Sequence, residues 1–180
     1  MLGDDPTGAD NQQGRPEEML APEYVAGFID GEGCFSVTVH PHPTTANGWL
    51  LGHSFQTYQH RDKVGILELI KDFFACGKIA AKAPTSSVMT YSVYRRSDLV
   101  SIIIPFFDAY PLRSRKQEDF LRFREIVHAM NRKEHRTFEG FRRLVEIAFS
   151  MNARGKQRRY TIEEVLRNPQ RLHAEQLTLS

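Results

Sequence analysis

The chain has 180 residues, 41% of them hydrophobic and 26% charged, with a formal net charge of +2. That is the size of one domain able to bury a substantial core, and its composition is that of an ordinary soluble globular protein. The longest apolar run, Ile102 to Phe107, is broken by Pro105 and too short to span a bilayer; the N-terminus lacks a basic start followed by an apolar core; and Cys34 and Cys76 fit no paired metal spacing. No membrane, no secretory signal and a reducing interior are therefore expected, as in a bacterial cytoplasm or an organelle.

Met1 to Ala21 is rich in Gly, Pro, Gln and acids, with five acidic residues against Arg15 up to residue 22, and reads as a tail. One domain is expected over residues 22–170, with a second tail over 171–180. A helix is predicted from Tyr24 to Gly33. Gly27 and Gly31 lie four apart and share one face where another backbone can approach closely. Tyr24, Val25, Phe28 and Ile29 are expected to bury its other sides. Its last turn carries Asp30 and Glu32, where the helix dipole disfavours carboxylates. Two readings follow: a core helix with a polar edge, or a site where a divalent cation resolves the conflict.

Cys34 to His40 alternates as a strand, with Phe35, Val37 and Val39 facing a core and Ser36, Thr38 and His40 outward. A second strand runs from Trp49 to about Tyr58, where Leu51 and Phe55, with His53 in phase between them, alternate with Ser54, Gln56 and Tyr58. The outer face of such a pair is either a solvated surface or one able to read base edges in a major groove. Asp62 is expected to cap a helix to about Phe74, ended by Cys76 and Gly77. Lys78 to Lys82 and Val88 to Tyr94 form a second strand pair. Ser97 opens a further helix to Ile104, continued from Pro105 toward Tyr110. The result is helix, two strands, helix, two strands, helix: an α+β layer with helices on one face of an antiparallel sheet.

A basic connection, Pro111 to Gln117, leads into helices marked by Phe120, Phe123, Ile126, Val127 and Met130, then by Phe138, Phe141, Leu144, Val145 and Ala148. Arg154, Lys156, Arg158 and Arg159 follow on a loop, suited to a phosphate backbone or to a solvated linker. Thr161 with Glu164 gives a capping-box pattern for a last short helix. Residues 111–159 hold 14 Lys and Arg against 6 Asp and Glu, a surplus that marks either a phosphate-binding face or a solvated helical surface.

Val25 to Gly33, reading Val-Ala-Gly-Phe-Ile-Asp-Gly-Glu-Gly, resembles the nine-letter signature of the LAGLIDADG homing endonucleases, with Val for the first Leu and Glu for the last Asp. The resemblance extends from about Pro22 to Leu166 and implies that family's αββαββα fold with a saddle-shaped antiparallel sheet and extra C-terminal helices. A single motif implies a homodimer packed through Ala26, Gly27, Asp30 and Gly31, acting on a long, pseudo-palindromic double-stranded DNA target within the mobility cycle of an intron or intein.

Carried over residue by residue, Glu32 resembles the metal-binding acid, with the Gly31 carbonyl beside it; Gln59 resembles the amide that orients water; and Lys116 resembles the lysine that stabilises charge, with Lys63 as a second basic group. Mg2+ is the implied cofactor, Mn2+ or Ca2+ being able to take the same sites, with no organic cofactor. The implied DNA-binding residues are Ser36, Thr38, His40, Ser54, Gln56, Tyr58, Ala80, Lys82, Thr90 and Ser92 on the sheet. Arg113, Arg115, Arg154, Lys156, Arg158 and Arg159 would contact phosphates. Two other readings stay open: a noncatalytic nucleic-acid binder such as an intron RNA maturase, and a small dimer whose glycine helix is only an interface.

Overall fold

The computed structural model describes residues 20–45, 47–151 and 159–167. Helix α1 (Pro22–Glu32) is followed without a loop by strand β1 (Gly33–Pro41) and then by β2 (Trp49–His60). A 3-10 turn over Arg61–Lys63 leads into α2 (Gly65–Phe74), and β3 (Lys78–Ala81) and β4 (Val88–Val93) complete the sheet. α3 (Arg96–Asp98), a π turn over Leu99–Ile103 and α4 (Ile104–Ala109) are continuous; α5 (Lys116–Asn131), α6 (Phe138–Ser150) and α7 (Ile162–Leu166) follow.

The four strands form one antiparallel sheet in the order β1-β2-β4-β3. The expected α+β architecture is therefore present, and the expected capping box of α7 forms at Thr161 and Glu164. No described helix is long and apolar enough to cross a membrane. The thiols of Cys34 and Cys76 are free.

The immediate passage from α1 to β1 depends on Gly33. A Cβ there would meet the side chain of Ile29 and lie 2.7 Å from its carbonyl oxygen, so only glycine lets the chain turn out of the helix at that point. At the other end of the layer, Gly77 sits at φ +77° and a Cβ would press on the Tyr91 ring at 2.7 Å.

Phe35 on β1 stands at the centre of the core. Its ring lies 5.2–5.4 Å from those of Phe55, Phe107, Phe120 and Phe123, which come from β2, α4 and α5. Val25 and Ile29 of α1, Leu67 and Ile70 of α2, and Leu144 of α6 are buried in the same cluster. Helices α1, α2, α4, α5 and α6 thus contribute to one core that seals against the sheet through alternating strand residues.

Local details depart from the sequence expectations. α1 is not buried all round: only Val25, Ala26 and Ile29 are buried, whereas Tyr24 is 52% exposed and Gly27 and Gly31 are open. Asp62 does not cap α2; it pairs with His60 Nδ1 at 3.1 Å, and the 3-10 turn takes up the start of the helix. α2 ends on Ala75 in the left-handed region at φ 50°. The segment around Pro105 widens into a π turn, as expected where a proline ring crowds the carbonyl four residues earlier and supplies no N–H. β2 runs on to His60, so Gln59 lies inside the strand.

Replacing Phe35 with Ala is expected to cost about 3–5 kcal/mol, since four rings lose a common neighbour. The shift in urea midpoint at unchanged slope measures it.

Candidate functional site

The C-terminal tip of α1 is held from below by the segment that starts α5. The N–H groups of Arg113 and Ser114 donate to Asp30 Oδ2 at 2.9 Å each, and the Ser114 hydroxyl donates to Asp30 Oδ1. Burial opposes ionisation of Asp30, but the hydrogen bonds from Ser114 and from the Arg113 and Ser114 N–H groups, with Lys116 nearby, together hold its carboxyl below the usual value of 3.8. Asp30, expected on a dimer face, is therefore engaged by its own chain. Ala26, expected beside it, is 8% exposed and packed within the protomer.

Lys116, the first residue of α5, extends its Nζ to the carbonyl oxygens of Ile29 at 2.8 Å and Gly31 at 3.2 Å. The Ile29 carbonyl also accepts the Gly33 N–H, and an ammonium at this helix end answers the negative end of the dipole. Desolvation lowers the Lys116 pKa, and Asp30, Cys34 and Glu32 partly restore it. The structure thus brings Lys116 to the Gly31 carbonyl, with Glu32 near enough to act on its charge.

Glu32 is exposed and makes no hydrogen bond or ion pair among the described residues. Gly33 pairs with Thr57 across the sheet, so β2 overruns the start of β1 by three residues, with the half-buried Gln59 among them. Lys63 follows on the exposed 3-10 turn. Ser114, which fixes Asp30, was not singled out in the sequence; a hydroxyl two residues before a helix gave no distinguishing signal.

The oxygens at this tip, the Glu32 carboxylate and the Gly31 carbonyl, are the hard donors that Mg2+ or Ca2+ selects. No cluster of three His, Cys, Asp or Glu side chains occurs among the described residues. One protomer thus offers the right kind of ligand at this tip but too few for a full coordination shell.

Along α1, Tyr24, Gly27, Phe28 and Gly31 form one stripe at helical spacing. A Cβ added at Gly27 or Gly31 would meet nothing within 4 Å, so this notch is open in the protomer. A groove of about 410 Å3 runs beside it, lined by Glu23, Ala26, Gly27 and Asp30 together with residues 109–113.

The strand registers put nine of the ten sheet residues expected to contact DNA on the face away from the core, with Ser36 opposite Ser54, Gln56 opposite Ser92, Tyr58 opposite Thr90, and Thr90 opposite Ala80; Lys82, just beyond β3, lines a groove with Ala80 and Thr90. Thr38 and His40 are exposed at one end of the face and Ala80 and Lys82 at the other. Ser54, Thr90 and Ser92, expected to be exposed, are only 5–8% exposed and form the floor of the face.

Arg113 and Arg115 are exposed and make no ion pair among the described residues. Arg159 lies 5.8 Å from the Tyr160 ring centroid, and Arg154, Lys156 and Arg158 lie outside the described residues. Much of the remaining basic surplus is neutralised. Arg122 pairs with Glu118 and Asp119, Arg124 with Asp108, Arg132 with Glu134, Arg142 with Glu146, and Arg143 with Glu125 and Glu134.

A family profile described as LAGLIDADG endonuclease matches residues 25–127, which run from the glycine helix through α5. The chain belongs to the LAGLIDADG endonuclease family.

Homing endonuclease I-ApeII of Aeropyrum pernix is 30% identical over 155 residues, 84% of this chain and 91% of that protein. Probable intron-encoded endonuclease 2 of Neurospora crassa is 32% identical over 133 residues, but the chain spans only 29% of its length. Among solved LAGLIDADG structures, the homing endonuclease I-TnaI aligns with TM-score 0.70 and 32% identity over 89% of this chain and 99% of that one. I-SmaMI, solved bound to an uncleaved DNA target in the presence of calcium ions, aligns with TM-score 0.71 and 35% identity over 74% of this chain and 45% of that one.

The Asp30 contacts give a pH-dependent prediction. Because the folded-state pKa is depressed, the stabilisation is present above the unfolded value near 3.8 and is lost as pH falls through the lower folded value. Asp30→Asn should cost about 1 kcal/mol at pH 7, a figure discounted for partial exposure. The gap from wild type should close in denaturation curves taken below that range.

Proposed function

We propose that the protein is a site-specific DNA endonuclease that acts as a homodimer and makes a metal-dependent double-strand break in a long pseudo-palindromic target. The single observation that carries this reading is the coincidence of an open glycine notch on α1 with an exposed Glu32 at that helix's tip and Lys116 beside it. Two such helices packed notch to notch would bring two Glu32 carboxylates together above the polar sheet faces. The family membership and the DNA-bound relative I-SmaMI support it. Promotion of intron or intein mobility follows from the same reading, given relatives described as intron-encoded.

Glu32 and the Gly31 carbonyl would hold Mg2+. The ion would supply charge neutralisation at the scissile phosphate and a water of lowered pKa. The chain's own residues do the rest. Gln59 orients the water by hydrogen bonding, and Lys116, positioned by the Ile29 and Gly31 carbonyls, places positive charge where the phosphate becomes more negative. Lys63 adds a second cation at the rim. Thr38, His40, Gln56 and Tyr58 face the bases, with Arg113 and Arg115 positioned for phosphates. No organic cofactor enters the reaction, and the working compartment is a reducing one.

The uninterrupted insertion locus of the host gene is the substrate to test. Glu32→Gln is expected to lower Mg2+-dependent cleavage of that duplex by at least about a hundredfold while leaving DNA binding within a few-fold. Tight binding without cutting by the intact protein would instead assign a noncatalytic role. A Cβ at Gly27 would have nothing within 4 Å in its own protomer, so Gly27→Leu should leave the fold intact, and loss of the dimer by sedimentation, together with loss of cleavage, is the expected outcome. An unchanged dimer would remove the notch from the interface.

A further inference from the structure

At the β2-β4-β3 end of the polar sheet face, three side chains are linked. The Tyr58 hydroxyl donates to Gln56 Oε1 at 2.6 Å, and Gln56 Nε2 donates to the Tyr94 hydroxyl at 2.7 Å. The Gln56 amide is thereby fixed in one orientation, with a second amide hydrogen and the Tyr94 hydroxyl proton left to donate outward. Lys78 Nζ lies 5.6 Å from the Tyr94 ring centroid and Lys82 Nζ 5.1 Å from that of Tyr58.

These residues line a groove of about 300 Å3 that contains no acidic side chain. Its floor includes Thr90, 8% exposed, whose hydroxyl has no partner among the described residues. Neither Lys78 nor Tyr94 is among the residues expected from the sequence to contact DNA, although Lys78 shares strand phase with Ala80 and Lys82.

We propose that this groove reads guanine: Lys78 and Lys82 donate to the O6 and N7 edges of two guanines in the major groove, and the Tyr58-Gln56-Tyr94 chain holds them in place. The inference rests on the DNA-cleaving reading above and names the bases that one part of the sheet would select. The groove presents two ammonium groups and the outward Gln56 amide hydrogen with no carboxylate among them, and guanine is the base whose major-groove edge offers two acceptors and no donor. A lysine on an edge strand is more commonly a phosphate contact, free to reach outward. Here each ammonium is drawn back over an aromatic face, above the sheet rather than beyond its rim, which also reduces the side-chain entropy lost on binding. The two lysines are four residues apart, about 13 Å along a strand. That span corresponds to roughly four base steps at about 3.4 Å each.

The test selects bound sites from a pool of random-sequence duplex DNA with the full chain, wild type and variants. Sites enriched by the wild type should carry two guanines in each half-site about four steps apart. Lys78→Met and Lys82→Met should each relax one of those positions, lowering the preference for guanine roughly ten- to hundredfold, and Gln56→Leu should weaken both. The inference is overturned if the wild type enriches no guanine at that spacing. It is also overturned if either lysine variant weakens all sequences uniformly and lowers the salt slope by about one, the behaviour of a phosphate contact. Salt-dependent, sequence-selective binding without guanine would sink this inference alone. Binding to no DNA at all would sink the endonuclease reading with it.

Discussion

The meeting of the end of α1 with the start of α5 is the constraint on which the site depends. A helix that finishes on Asp30, Gly31 and Glu32 concentrates carbonyls and carboxylates where the dipole is already negative. The fold answers this conflict with groups more than 80 residues away in sequence. Backbone N–H groups and a hydroxyl from residues 113–114 take Asp30, and the Lys116 ammonium takes the Ile29 and Gly31 carbonyls. Glu32 is left outside that arrangement. One acid of the motif is therefore structural and the other is available for chemistry.

The sheet carries two functions with one register. Because side chains alternate, the pairing that buries Phe35, Phe55 and Tyr91 against the helices also sets Ser36, Gln56 and Tyr58 in a row on the opposite face. A slip of one residue would exchange the core for the polar surface, so the aromatic core protects the arrangement of the polar face. The abrupt turn at Gly33 ties this sheet to α1, which keeps the tip and the polar face in fixed relation.

The distribution of charge acquires a different meaning in three dimensions. The surplus over residues 111–159 suggested a broad phosphate-binding surface, yet the arginines of α5 and α6 are largely committed to acids on the same or neighbouring helices. Exposed pairs of this kind add little stability but do remove free positive charge. Arg113 and Arg115 keep theirs, at the end of the molecule where the α1 tip lies.

The sequence by itself determined the order of elements and the motif helix, because strand alternation and helical spacing are local patterns that burial enforces wherever the chain folds. It also determined which strand residues share a face, since the period of two carries no ambiguity once Phe35 and Phe55 are placed inside. Only the tertiary structure decided that Ser54, Thr90 and Ser92 are buried, that Asp30 is engaged by residues 113–114, and that Gln56 is hydrogen-bonded between two tyrosines. Those outcomes depend on side chains brought together from distant parts of the chain, whose reach and competition for hydrogen bonds leave no periodic trace in the sequence.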